Sequence, residues 1–330
     1  MKLKKFALAL GMGAVVSMPA QAILAPNLLS MQDDDIDYVL RATTGGGYAP
    51  VTSGPIQLGD IFLSVFEFPT VTLNGDSLVG PNEEFTGVAA VQLKSITNPG
   101  GVPVDPGAGD VPLPGAIYEY DVWNDFNSFL VSQGGADLGS YASGAAVALW
   151  YNPSTDFDLD LDRAHNGGNP NCANLSDCIS KAATGTLFQV DGFLGDGDES
   201  WLATQVIPGG GDLDTVKTLN NTTTVASVNF ALSNIYQVPS KDGKKLTPVG
   251  GIDVVTGMPC DFTLNPAADG CAQVTGNVNL TGGQGIDPAN EAVAHSTTIN
   301  AQKYVPEPAT LALFGIGLLG LGGRLRRDDA

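Results

Sequence analysis

Between residues 61 and 280 the chain is interrupted every few positions by clusters of glycine, proline and asparagine. The stretches between them are apolar or alternate apolar with polar. Runs that short, bounded in that way, are strands rather than helices. Residues 61–68 (IFLSVFEF), held between Gly59-Asp60 and Pro69, are the plainest case. Residues 71–73 follow and close on Asn74-Gly75, a hairpin turn signal. Further strands are expected at 88–96, where a helix competes, and at 117–123, 145–151, 185–194, 201–207, 225–232 and 273–280. Residues 124–132 suggest a short helix stopped by Gly134-Gly135. With 42 glycines and 21 prolines and no repeat of fixed period, the expected fold is all-β. It is β-sandwich-like, with many short strands, Gly/Pro/Asn-rich loops and minor helix.

Two ends stand outside that fold as hydrophobic helices. Lys2, Lys4 and Lys5 precede an apolar stretch at 6–16, and Ala20-Gln21-Ala22 forms a small-residue cleavage site. This is the layout of a secretory signal peptide, residues 1–22, cut after Ala22. At the other end Val305-Pro306-Glu307-Pro308 is followed by fifteen uncharged residues, 309–323, and then by Arg324, Arg326 and Arg327. As a helix the uncharged run reaches roughly 22 Å, short of a ~30 Å hydrocarbon core. A buried core helix of this length is not normally followed at once by a basic cluster. Five glycines from Gly315 to Gly323 also weaken it as a structural helix. The run reads as a weak, temporary membrane anchor with its arginines on the cytoplasmic side.

In its three ordered parts this tail resembles the PEP-CTERM sorting signal of Gram-negative bacteria. The resemblance covers 305–327, and it departs only in the acidic Asp328-Asp329 that follow. It implies export by the general secretion machinery, a transient stay in the inner membrane, and processing by an exosortase. Delivery to the cell surface or the exopolysaccharide matrix would follow. The body resembles no family.

Setting aside 1–22 and 305–330 removes six of the 15 basic and three of the 35 acidic residues. The body, 23–304, keeps 9 basic against 32 acidic, a net charge of −23. Such a surface repels phosphate, so nucleic acid is not expected as a partner and anionic lipid is a poor one. Neutral polysaccharide and divalent cations are compatible with it. The Pro/Gly-rich segment 98–116 is a linker or long loop and the one place for a sub-boundary, although a single β-rich domain is favoured. Asp33-Asp34-Asp35-Ile36-Asp37 reads as a solvated acidic edge.

Four cysteines, Cys172, Cys178, Cys260 and Cys271, suit disulfides in an exported chain. Three connectivities exist. Neighbour pairing is preferred because each pair brackets a loop, and neither spacing fits zinc. In the run 156–162, alternation sets Phe157, Leu159 and Leu161 on one face and Asp156, Asp158, Asp160 and Asp162 on the other. Carboxylates roughly 7 Å apart on a strand repel one another. Either the run is an edge strand protected from pairing by charge, or Ca²⁺ is its cofactor, with Asp191 and the Asp196–Glu199 cluster as further ligands. It is not an EF-hand, because Arg163 stands where the loop glycine is required.

No H-E-x-x-H and no G-x-S-x-G pattern is present, and the two histidines, His165 and His295, lie far apart. No enzyme is expected. Trp123, Trp150, Trp201 and Tyr151 either stack on sugar rings or fill the core, and the core is favoured. Asn174-Leu-Ser176 and Asn220-Asn-Thr222 fit the glycosylation sequon, of no consequence beside a bacterial sorting tail. The expectation is an exported surface or matrix protein with a structural or adhesive role. The alternative is a secreted, calcium-dependent carbohydrate-binding module and, less favoured, a polysaccharide-acting enzyme.

Overall fold

A computed structural model describes residues 27–155, 157, 171–195, 197–246, 251–253, 259–260, 271–284, 286 and 291–305. Its strands are β1 (Asn27–Ala42), β2 (Tyr48–Pro50), β3 (Ile61–Leu73), β4 (Asp76–Ser77), β5 (Glu84–Asn98) and β6 (Val102–Pro103). They continue as β7 (Ile117–Val122), β8 (Ala145–Asn152), β9 (Thr186–Gly192), β10 (Ser200–Gln205), β11 (Thr224–Gln237) and β12 (Ser240–Lys241). The last are β13 (Lys244–Lys245), β14 (Gly251–Asp253), β15 (Pro259–Cys260), β16 (Cys271–Ala272), β17 (Val274–Gly282) and β18 (Ala294–Val305). Three short helices accompany them: α1 (Phe126–Ser132), α2 (Leu175–Ala182) and α3 (Leu213–Thr218).

The all-β expectation with minor helix is what the chain adopts. The strands expected at 61–73, 88–96, 117–123, 145–151, 185–194, 201–207, 225–232 and 273–280 are present, while the run 156–162 lies outside the described residues except for Phe157. The hairpin at Asn74-Gly75 forms with both residues at positive φ, 54° and 86°, the backbone that a two-residue turn between twisted strands demands.

Its layered character comes from one sheet that returns on itself. The strands pair antiparallel in the order β3-β5-β8-β9-β11-β17-β18-β1, and β1 pairs back onto β3. Two long strands change partner along their length. β5 pairs with β8 over Glu84–Ala89 and with β7 from Val91 onward, while β11 pairs with β10 and then, beyond Leu232, with β9. β7 and β10 pair with each other and complete the second path. Strands from both sides of segment 98–116 therefore meet directly in β5–β7.

Alternation sorts each strand onto two cores. The inward set, including Leu29, Met31, Phe66, Phe85, Val91, Trp201 and Phe230, fills the space enclosed by the sheet. The outward set of β1, β3, β5 and β8, including Tyr38, Leu63, Val88 and Trp150, lies beneath α1 and α2. Gly87 is required where these layers press together. A Cβ there would lie 2.4 Å from the Phe66 ring and 2.6 Å from the Ala148 carbonyl.

The acidic edge expected at 33–37 is a correction. Asp35 and Asp37 lie within β1, 1% and 0% exposed, on the inward face beside Leu29 and Met31. Their burial is compensated by hydrogen bonds at every carboxylate oxygen but Asp37 Oδ1. The Ser64 hydroxyl donates to Asp35 at 2.9 Å, the Ser296 amide donates to Asp35 at 2.6 Å, and the Ser296 hydroxyl donates to Asp37 at 2.9 Å. Buried acids are tolerated when so bonded.

Candidate functional site

The address residues and the fold meet at one point. Val305, the first residue of the Val-Pro-Glu-Pro motif, ends β18 and is paired with Asn27, the first residue of β1. β18 is held on both flanks, by β1 and by β17, so the strand that leads into the tail is interior to the sheet. Pro306, Glu307, Pro308, Arg324, Arg326 and Arg327 lie outside the described residues, as do Ala20 and Ala22 of the signal cleavage site.

Residues 305–327 match the PEP-CTERM protein-sorting motif. The resemblance seen in the sequence is thereby shown for the tail, over the same residues. The PEP-CTERM motif marks an exported protein with a C-terminal, membrane-anchored sorting signal that an exosortase handles. No curated protein and no solved structure matches the chain. Among the described residues no helix is long and apolar enough to cross a membrane.

Of the four cysteines, Cys172 and Cys178 form a disulfide, with Cα atoms 4.9 Å apart. It pins the start of α2, whose Leu175, Cys178, Ile179 and Ala182 face the sheet. Asn174, one of the two sequon asparagines, is the N-cap of this helix and accepts from the Asp177 amide at 3.0 Å. The side chains of Cys260 and Cys271 lie outside the described ones; their strands β15 and β16 flank β14.

Asp156, Asp158, Asp160 and Asp162 lie outside the described residues, as does His165. Phe157 is described. Its ring is buried under α1 and α2, and its amide donates to the buried Glu84 carboxylate at 3.2 Å. Asp191 is buried inside the sheet, where Asn234 donates to it at 2.7 Å. Glu199 caps a turn by accepting from the Leu194 and Gly195 amides, at 2.7 and 2.9 Å. Among the described residues no three His, Cys, Asp or Glu side chains converge as a metal site would require.

The tryptophans are core. Trp123, Trp150 and Trp201 are 2%, 1% and 4% exposed, and Trp201 stacks on Phe230 with centroids 5.0 Å apart. Tyr151 is half-buried at the rim, donating to Glu83 at 2.6 Å with the Lys241 ammonium 4.7 Å above its ring. Bonding from Tyr151 first and Lys241 second holds Glu83 down to about 2.

The surface that the sequence did not single out is the outer face of β10, β11, β17 and β18. Register sets Leu202, Asn229, Asn277 and Asn300 in one row across the four strands. Thr204, Ser227 and Asn279 form the next row, and the Ser227 hydroxyl donates to Asn279 at 2.9 Å. Thr275 and Gln302 form a third. The first and third of these rows line a groove of about 420 Å³. None of these side chains is charged, in a chain of net charge −20. The charged residues begin one strand away, at Glu119 on β7, which pairs with Lys94 at 3.0 Å. The signal was present in the sequence as the alternations T-G-N-V-N (275–279), S-V-N (227–229) and N-A-Q (300–302).

Proposed function

We propose that this is an exported, non-catalytic protein of the cell surface or exopolysaccharide matrix, where its role is structural or adhesive. One observation carries the reading. The sorting motif continues, without a linker, the interior strand β18, so the folded body is the cargo that the address delivers. The acidic balance supports it, since a highly charged body stays soluble and hydrated outside the cell.

The uncharged groove favours a more specific version in which adhesion runs through neutral polysaccharide. Amide and hydroxyl side chains offer both donors and acceptors to sugar hydroxyls. Without a cation the face does not select an anionic polymer, and without an exposed aromatic it does not rely on stacking. The calcium-dependent form of this reading rests on Asp156, Asp158, Asp160 and Asp162.

The test is co-sedimentation of residues 23–305 with neutral exopolysaccharide from the producing cells, with and without a chelator, beside Asn277→Asp. Saturable binding that survives the chelator and is lost in Asn277→Asp supports the groove. Loss with the chelator shifts the binding to the acidic run. Absence of binding leaves a structural protein without a glycan ligand.

A further inference from the structure

Inside the sheet, away from the groove, one lysine is completely enclosed. Lys303 lies on the inward face of β18, two residues before the sorting motif, and is 0% exposed. A buried ammonium is costly unless it is paired and fully bonded. Here the partners are mostly carboxamides. The Nζ donates to Gln189 Oε1 at 2.6 Å and makes a second, closer contact with Gln237 Oε1. Gln189 and Asp191 stand two residues apart on one face of β9, and the Gln189 Nε2 is in close contact with Asp191 Oδ2. Asn234 completes the cluster through its 2.7 Å bond to Asp191 Oδ1.

Burial acts on both ionisable members in the same direction, toward neutrality. It brings Lys303 down to about 7, with the nearby Asp191 opposing the shift, and it raises Asp191 from its ordinary value against the opposing Lys303 charge. An amine and a carboxyl group, both pushed toward neutrality by burial, are thus held against a carboxamide inside the sheet. An amine is a nucleophile only when unprotonated, and positioning against its target removes most of the entropic cost of the encounter.

We infer that Lys303 condenses with Gln189 to form an intramolecular isopeptide bond, with Asp191 as the proton carrier. The lone pair of the Lys303 Nζ attacks Gln189 Cδ, forming the new C–N bond. Asp191, which touches the departing Nε2, delivers its proton there, and the C–Nε2 bond breaks. Ammonia leaves, and Asp191 recovers a proton from Nζ. Atoms and charge balance with no oxidant or co-reactant, since an amine and a primary amide become a secondary amide and ammonia. Gln189 rather than Gln237 is the acceptor because its leaving nitrogen faces the acid, whereas Gln237 Nε2 is directed to the Phe188 carbonyl at 3.3 Å. The bond would tie the strand that leads into the sorting tail to β9 across the core.

The test is the intact mass of the exported protein, compared with its sequence after the disulfides are reduced, followed by peptide mapping. The expected result is a mass lower by one ammonia, with the Lys303 peptide joined to the Gln189 peptide. In Asp191→Asn and Lys303→Met the full sequence mass should return. A wild-type mass equal to the sequence would overturn the inference, and a cross-link to Gln237 would overturn the assignment of acceptor and acid. The wild-type reading does not depend on either variant folding.

Discussion

Val305 is paired with Asn27, so the last strand of the body and its first strand end side by side. The signal segment and the sorting tail therefore join the fold at neighbouring backbone positions. Fold and address share Val305 and otherwise occupy separate stretches of the chain.

That separation is testable. Glu307→Ala should leave the protein retained with the membrane fraction instead of delivered. Its melting temperature should match that of the wild type, because residue 307 lies beyond the last paired position of β18. Removing residues 294–305 should instead abolish cooperative unfolding, since β18 bonds to both β1 and β17. Fractionation with thermal melts of each variant reads both outcomes, and normal delivery of Glu307→Ala would contradict the sorting assignment.

Cys172→Ser should destabilise the body by about 2 kcal/mol, the amount that closing so small a loop contributes in the chain-entropy model. Cys178 is fully buried and α2 covers the outer core, so the loss should appear in the main unfolding transition. Denaturant midpoints with and without reductant measure it. A wild-type midpoint indifferent to reductant would show that the bridge does not contribute.

What the sequence showed depended on which faces were apolar. β3, β5, β7, β8 and β10 were legible because their inward positions are hydrophobic and their ends are punctuated. β1 was not, because Asp35 and Asp37 occupy inward positions, and their compensation by Ser64 and Ser296 comes from strands distant in sequence. β18 was hidden for the same reason, with Lys303 and Ser296 inward. α2 did leave a signal, apolar residues at 175, 178, 179 and 182, but the cysteines and Asn174 made the segment resemble a loop. The amide groove arises from register between β11, β17 and β18, which no single stretch of chain displays.

His295 is buried on β18, and burial lowers it to about 4. The unfolded chain titrates near 6.5, so above that pH the histidine is neutral in both states. As pH falls from 6.5 toward 4, the unfolded state takes up a proton that the folded state refuses, and stability is lost. The loss reaches on the order of 3 kcal/mol by the lower end. His295→Gln should show a flatter decline of the urea midpoint between pH 6.5 and 4.5 than the wild type. Equal slopes would remove His295 as the cause.

The two faces of β11 should separate stability from binding. Trp201 stacks on Phe230 inside the sheet, while Asn229, adjacent in sequence to Phe230, faces outward into the groove. Trp201→Ala should therefore cost about 3–5 kcal/mol, as large-to-small changes in packed cores do. Asn229→Asp, on an exposed strand position, should change stability by no more than about 0.5 kcal/mol. Because all three tryptophans are enclosed, their emission should be that of buried indole and should not shift when neutral glycan is added. A glycan-dependent shift would place the ligand against a tryptophan and contradict the groove. A silent emission with glycan binding lost in Asn229→Asp is the pattern that amide recognition on the outer face requires.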